Sequence, residues 1–252
     1  MPGEVSHEIG RAYVYVLGGC LERAAKGFRQ LFDVYTNPEK LAFSGFSGTR
    51  YSFDLSGMYD ATSEVLIESK GYKDGSGLVD AYREFLAKAY STFVQVERHR
   101  NDLFWFVTNV SFGSSIGRRL SSRGFMSETL RDQKLAKVAS IIGDHEVDEG
   151  HVRSLSDRVA IAIFTDSFIK VMGIQYCFRP GDNLYNVMKL IHGGRIPLTF
   201  YDPIKTQVRQ MNNEIKDVNL IRSGKRLHLP WYGFAESEDD CVVPDSDKYD
   251  PA

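Results

Sequence analysis

The sequence predicts an α/β protein in which a mixed β-sheet is flanked by helices, followed by a small unit of two strands and two helices. The first prediction rests on the order hairpin, helix, strand between Arg50 and Asn109, because a hairpin is antiparallel whereas a helical crossover joins parallel strands. The second rests on the order strand, helix, helix, strand between Gln175 and Pro230. We therefore expect three parts, which are a first domain over residues 1–172, a second domain over 175–230 and an acidic, disordered tail over 231–252.

The composition is typical of a globular protein without a membrane span. The 252 residues are 42% hydrophobic, and the formal net charge of −2 means that nucleic acid would need a local basic patch. The three cysteines, Cys20, Cys177 and Cys241, are far apart and odd in number, which disfavours a disulfide framework or a zinc site. Neither a signal peptide nor a run of about 20 apolar residues is visible. We therefore expect a cytoplasmic protein that makes no membrane contact.

The segment from Arg50 to Tyr72 has the pattern of a β-hairpin with charged residues on one face. Apolar and polar residues alternate from Tyr51 to Ser56, and an apolar run ends in Glu68-Ser69-Lys70. Because side chains alternate with period two in a strand, Glu68 and Lys70 share a face. If the hairpin is symmetric about Ala61, Asp54 lies opposite Glu68. Two carboxylates and an ammonium group would then converge on one patch.

Such a patch could hold a metal ion and act on a phosphate. Carboxylate oxygens from Asp54 and Glu68 suit Mg²⁺, and the main-chain carbonyl of Ser69 could add a third oxygen. Lys70 could orient or deprotonate an attacking water, or stabilise charge on a phosphoryl group. The alternative interpretation is a solvated strand end with a weak Glu–Lys pair.

The pattern of Asp54, a short turn, and Glu68-Ser69-Lys70 at the end of an apolar strand resembles the PD-(D/E)xK nuclease superfamily. Phe53 stands where the name of that family has Pro. The resemblance implies a restriction-endonuclease-like fold in residues 6–172 and metal-dependent hydrolysis of phosphodiester bonds, with Mg²⁺ or Mn²⁺ as cofactor. DNA would be the substrate, defence against foreign DNA a fitting role, and a homodimer a reasonable assembly.

The spacing of apolar residues also predicts the helices and the strand around the hairpin. Helices are expected over residues 6–35, Leu78–Glu97, Thr129–Ile142 and Leu155–Val171, and a buried strand over Asp102–Asn109.

Basic residues near the hairpin are candidates for phosphate contacts, with a solvated surface as the alternative for each. Lys88 shares the helix after the hairpin, and we place it with Glu84 away from the apolar side of that helix. The residues predicted to bind nucleic acid are Lys73, Arg83, Arg118, Arg119 and Arg123.

Residues 175–230 resemble a lysin motif (LysM) domain. The resemblance rests on the opening Pro180-Gly181-Asp182 and on the closing run that ends in Leu229-Pro230. The segment over residues 192–210, between the two expected helices, is longer than usual for that family. The resemblance implies a groove for N-acetylglucosamine polymers formed by two loops, with Gly181, Asp182, Asn183 and Leu184 in one and Asn219, Leu220 and Ile221 in the other.

The LysM resemblance also supports an alternative to the enzyme. In a cytoplasmic protein such a domain would dock a protein or nucleic acid. The whole chain could then be a non-catalytic binding or assembly protein that recognises a glycan or a protein partner.

Overall fold

The computed structural model describes residues 2–25, 27–59, 63–71, 76–99, 102–112, 119–120, 122–165, 174–192 and 201–230. Its helices are α1 (Pro2–Ala24), α2 (Leu78–Gln95), α3 (Arg123–Arg131), α4 (Ala136–Ile142), α5 (Glu149–Ser156), α6 (Leu184–Ile191) and α7 (Tyr201–Met211). Its strands are β1 (Arg29–Asp33), β2 (Ala42–Ser44), β3 (Arg50–Ser52), β4 (Leu55–Tyr59), β5 (Ser63–Lys70), β6 (Leu103–Thr108), β7 (Val159–Ile163), β8 (Ile174–Cys177) and β9 (Arg226–Leu229). The predicted acidic tail, Lys73 and Arg118 lie outside the described residues.

A five-stranded mixed sheet forms the centre of the first part of the chain. Its order is β1-β4-β5-β6-β7, with β1, β4 and β5 antiparallel and β5, β6 and β7 parallel. Helix α2 is the crossover between β5 and β6, as expected for a parallel pair. The predicted mixed α/β sheet flanked by helices is therefore confirmed.

Apolar side chains cover both faces of the sheet. Alternate residues of β5 go to opposite sides, so Val65 and Ile67 lie in one cluster with α1 whereas Leu66 lies in another with α2. The second cluster also contains residues of α3, α4 and α5. Strand β5 is thus buried on both faces, and any charged group on it must find a partner inside the protein.

Two of the predicted helices contain a strand, and a third, over Thr129–Ile142, is interrupted between Arg131 and Ala136. The helix expected over residues 6–35 ends at Ala24, and Gly27 has a φ of 89° before β1 begins. The helix expected over Leu155–Val171 is also wrong, since α5 ends at Ser156 and β7 pairs with β6 in parallel. Both strands are only five residues long, and short apolar runs do not distinguish a strand from a buried helix.

The segment over residues 174–230 has the predicted order of strand, helix, helix, strand. Strands β8 and β9 are antiparallel and pair Ile174 with Leu229. Asn212, at the end of α7, donates to the carbonyl oxygens of Val208 (2.8 Å) and His228 (2.7 Å), and so joins helix to strand. The long segment expected between the helices is shorter than predicted, because α7 already begins at Tyr201.

The C-terminal segment shares its apolar cluster with the first part of the chain. Leu17 of α1 belongs to the same buried cluster as Val208 of α7 and Leu229 of β9. Within the described residues, no helix combines the length and apolarity that a membrane crossing requires.

Candidate active site

The register of the hairpin brings Asp54 to the end of β5 that carries Glu68, Ser69 and Lys70. Leu55 pairs with Ile67, and the N–H of Asp54 donates to the carbonyl oxygen of Ile67 at 2.9 Å. The predicted symmetry about Ala61 is therefore confirmed. The predicted single strand from Tyr51 to Ser56 is wrong, since the chain breaks between β3 and β4 at Phe53 and Asp54. Phe53 consequently faces the α2 cluster, whereas Leu55 faces the α1 cluster.

Asp54 is held by the residue that follows Glu68. Its Oδ2 accepts hydrogen bonds from the main-chain N–H of Ser69 (2.7 Å) and from the Ser69 hydroxyl (2.9 Å). Burial, and next the charge of Glu68, raise the pKa of Asp54 to about 6, although Lys70 and the Ser69 N–H oppose this rise. The carboxylate is thus fixed in position but is costly to ionise, which is a feature of functional sites.

Glu68 is buried between two ammonium groups. Its Oε1 lies 2.8 Å from Nζ of Lys70, and Nζ of Lys88 lies 3.0 Å from Oε1 and 3.1 Å from Oε2. Burial alone would raise the pKa of Glu68, but Lys88 and then Lys70 outweigh it and lower that pKa. Glu68 is therefore ionised inside the protein.

Lys70 carries its positive charge in this arrangement. Burial alone would lower its pKa, but Glu68 and Asp54 raise it above the usual range. A lysine held as an ammonium ion can orient a water or stabilise a phosphoryl oxygen, but it cannot remove a proton. Of the roles expected for Lys70, the structure favours the electrostatic ones.

Lys88 is the residue at the site whose position was predicted wrongly. We expected it on the polar side of α2, yet it is buried and also donates to the carbonyl oxygen of Ser52 at 3.3 Å. The signal was present in the helical spacing, since Lys88 follows the buried Phe85 by three residues and precedes the buried Thr92 by four. Glu84, one turn earlier on α2, lies 3.5 Å from Nζ of Lys88.

The expected phosphate-binding arginines that the structure describes lie on α2 and around the start of α3. Arg83 is bonded to Asp80 at 3.0 Å and lies over the ring of Phe125. Arg119 forms an exposed ion pair with Glu128 at 2.9 Å. Arg123 makes no ion pair with any described residue and lines a polar cavity with Arg131. Phosphate binding by these arginines remains a prediction.

A second buried charged cluster lies at the opposite end of β5. His99 contacts a carboxylate oxygen of Asp102 through Nδ1, and Oε2 of Glu64 lies 3.9 Å from the same nitrogen. The other ring nitrogen, Nε2, accepts a hydrogen bond from Nε of Arg98 at 3.0 Å. The three side chains offer a metal-ligand chemistry, but both ring nitrogens of His99 already have partners.

The C-terminal segment contains a cavity of about 330 Å³ between its two predicted loops. Asp182 lies two residues before α6 but does not cap it. Its Oδ2 instead accepts from the N–H of Arg179 (2.7 Å) and the hydroxyl of Tyr176 (3.0 Å), and Asn183 is the cap. Among the residues that line the cavity, those implied by the LysM resemblance are Asp182, Asn183, Leu184, Asn219 and Ile221.

Comparisons with known proteins assign no family. No known protein family matches the chain, and no curated protein matches it. Among solved structures, the chain is similar to a Moraxella osloensis Cap4 receptor that contains a SAVED/CARF domain, with 15% sequence identity and a TM-score of 0.33. The aligned region covers 89% of this chain and 44% of that receptor, so the chain spans less than half the length of the receptor. A similarity at this level establishes neither a family nor an activity.

Proposed function

We propose that this protein is a metal-dependent nuclease that hydrolyses phosphodiester bonds, with DNA as its substrate. The observation that carries the proposal is the convergence at one end of the hairpin, where Asp54 is bonded to Ser69 and Lys70 is paired with Glu68. The donor set fits a hard divalent cation, because it consists of carboxylate and carbonyl oxygens. The ammonium group of Lys88 already lies against Glu68 and the carbonyl oxygen of Ser52, so the protein accommodates a cation beside Glu68.

The residues divide the chemistry between them. Asp54 and Glu68 would hold Mg²⁺ or Mn²⁺, with the carbonyl of Ser69 as a further ligand. When bound, the ion would supply positive charge to the phosphoryl group and to the attacking water. Lys70, charged and hydrogen-bonded to Glu68, would orient that water or stabilise the phosphoryl oxygens. Arg83, Arg119 and Arg123 would contact phosphates along the substrate, and Lys73 and Arg118 would add to them.

Incubation with supercoiled plasmid tests this proposal. We expect the purified protein to nick plasmid with Mg²⁺ or Mn²⁺, and EDTA to prevent nicking. Lys70→Ala should abolish cleavage while the protein stays folded by circular dichroism. Lys134→Ala is the matched control, because Lys134 is an exposed lysine outside this cluster. Metal-dependent cleavage that persists in Lys70→Ala would contradict the assignment.

A second candidate function is recognition of a glycan or protein partner by the LysM-like segment. It is favoured by the cavity at the two loops, into whose lining Tyr185 and Tyr201 bring aromatic rings 5.4 Å apart. A pulldown of the full chain on insoluble chitin and peptidoglycan tests it, with Ile221→Arg to block the cavity. Leu190→Arg is the control, because Leu190 is 62% exposed and does not line the cavity. Retention that Ile221→Arg does not reduce would exclude this groove.

Several expectations from the resemblances accompany the nuclease proposal. They are a cytoplasmic location, a role in defence against foreign DNA, a homodimer that cuts both strands, and a protein partner at the LysM-like segment. Sizing chromatography with light scattering tests the dimer, and a mass of one chain would contradict it.

A further inference from the structure

Four oxygen atoms converge on the side-chain nitrogen of Lys88. They are both carboxylate oxygens of Glu68 (3.0 and 3.1 Å), the carbonyl oxygen of Ser52 (3.3 Å) and Oε1 of Glu84 (3.5 Å). Hard cations prefer such a set of carboxylate and carbonyl oxygens. The position of Nζ is therefore a built cation site, which the protein fills with an ammonium group of its own.

The three charged residues of this oxygen cage are well buried. The side chains of Lys88, Glu68 and Glu84 are 9%, 3% and 21% exposed. A buried ammonium group needs close partners to offset its lost hydration, and Lys88 finds them on β5, on its own helix and at the end of β3. Two further lysines contact the carboxylates of the cage from outside it, since Lys70 lies 2.8 Å from Oε1 of Glu68 and Lys137 lies 2.6 Å from Oε2 of Glu84.

We propose that a divalent cation binds in this cage and displaces the ammonium group of Lys88. Glu84 and the Ser52 carbonyl then become ligands beside Glu68 and Asp54, although no sequence motif points to either. The inference rests on the proposed metal-dependent function, and it adds a further ligand and a competing internal cation to that site.

Displacement follows from charge and geometry. Lys70 and Lys88 both contact Oε1 of Glu68, so a divalent ion on that carboxylate would face two positive charges at close range. Lys88 has a flexible four-carbon stem and can leave, whereas Glu68 is fixed in the central strand β5. The cage is wider than a bare Mg²⁺ shell, which suits an ion that keeps several of its waters.

Metal affinity measured by calorimetry tests the competition. Lys88→Met removes the ammonium group with little change of shape, so Mn²⁺ should bind about tenfold more tightly or better than to the unaltered protein. Lys134→Met loses the same charge at an exposed site, and its affinity for Mn²⁺ should stay within about twofold of that of the unaltered protein. Glu84→Gln should weaken binding by about tenfold in both the unaltered and the Lys88→Met backgrounds. Unchanged or weaker binding by Lys88→Met, or no effect of Glu84→Gln, would overturn the proposal.

A measurement on the unaltered protein covers the case in which Lys88→Met does not fold. Reductive methylation followed by peptide mass spectrometry reports how accessible each lysine amine is. We expect Mn²⁺ to increase the rate of Lys88 modification several-fold, with Lys134 unchanged as an internal reference. A rate for Lys88 that Mn²⁺ leaves constant or lowers would show that the ammonium stays in the cage.

The two proposals fail in distinguishable ways. Mn²⁺ binding that Asp54→Asn weakens, without any response of Lys88, would leave the metal site in place and remove only the displacement. Absence of Mn²⁺ binding by calorimetry, together with absence of plasmid cleavage, would remove both.

Discussion

Strand β5 carries a buried charged cluster near each end, and both clusters lie on the same face of the sheet. Glu64 and Glu68 are four residues apart, so their Cα atoms are separated by roughly 13 Å with Leu66 between them. At the Glu64 end, His99 uses one ring nitrogen for Asp102 and the other for Arg98. At the Glu68 end, the charge of Glu68 acts on the buried carboxylate of Asp54, and two lysines share Glu68.

The two clusters differ in how their charges are satisfied. The imidazole of His99 completes its hydrogen bonds within a short segment, which suits a structural role at the start of β6. Asp54 and Glu68 instead have pKa values moved in opposite directions, because burial dominates at Asp54 and the lysines dominate at Glu68. Two buried carboxylates with such different proton affinities make this end of β5 the candidate functional site.

The largest difference between the clusters should be in catalysis. Glu68→Gln removes a proposed metal ligand and leaves Lys88 without its closest charge partner. We expect plasmid cleavage to fall at least about a hundredfold and the free energy of unfolding to fall by about 3 kcal/mol. Glu64→Gln should keep the cleavage rate per folded molecule within about threefold of that of the unaltered protein, since Glu64 lies at the other end of β5. Equal losses in the two variants would remove the functional distinction between the clusters.

The second effect should be a pH dependence of the free energy of unfolding that arises from the raised pKa of Asp54. Its folded pKa of about 6 lies above the ordinary aspartate value of 3.8, so the folded protein binds the proton more tightly than the unfolded chain. The stabilising contribution is complete below 3.8 and is lost as the pH rises through 6. Asp54→Asn, which keeps an oxygen for Ser69, should therefore be more stable than the unaltered protein at pH 7.5, by on the order of 3 kcal/mol.

Urea unfolding at pH 5 and 7.5 measures this difference. The excess in the free energy of unfolding of Asp54→Asn over the unaltered protein should be smaller at pH 5 than at pH 7.5. Both measurements are made above pH 4.5, because the pKa of Glu68 is lowered in the folded protein. Protonation of Glu68 at lower pH would destabilise the protein, whereas protonation of Asp54 stabilises it. A constant difference between the two pH values would show that Asp54 is not costly to ionise in the folded protein.

The His99 cluster should affect stability and leave chemistry unchanged. His99→Ala leaves Asp102 and Arg98 without their shared partner and opens space beside Phe43, whose ring lies 5.4 Å from that of His99. We expect the free energy of unfolding to fall by about 2 kcal/mol. Cleavage measured below the unfolding temperature should be unaltered. A metal requirement that changes in His99→Ala would move the metal site to this cluster.

The smallest effect should be stabilisation by metal. Mn²⁺ at ten times its Kd should add about 1 kcal/mol to the free energy of unfolding, because the ion binds only the folded protein. The added stability should be larger at pH 7.5 than at pH 5.5, where a proton competes at Asp54. Differential scanning fluorimetry measures it, and Glu64→Gln should respond as the unaltered protein does. Loss of the response in Glu64→Gln would again point to the other cluster.

The local pattern was sufficient to predict the hairpin and its charges. The placement of Asp54 against Glu68 followed from the symmetry of two short segments, and the shared face of Glu68 and Lys70 followed from the period of a strand. The order of strand, helix, helix, strand in the last described segment was also predictable. These features depend on residues close together in the chain, whose geometry is set by backbone periodicity.

Tertiary packing decided the rest. Strands β1 and β7 were predicted as helix because a five-residue segment becomes a strand only through pairing with distant partners, β4 and β6. Lys88 was predicted on a polar surface because a charged residue is rarely buried, and its burial depends on a carboxylate 20 residues earlier in the chain. The sequence alone thus determined which groups could form the site. Only the fold determined which charges meet inside it, because desolvation makes each buried charge depend on whichever partner the packing brings within reach.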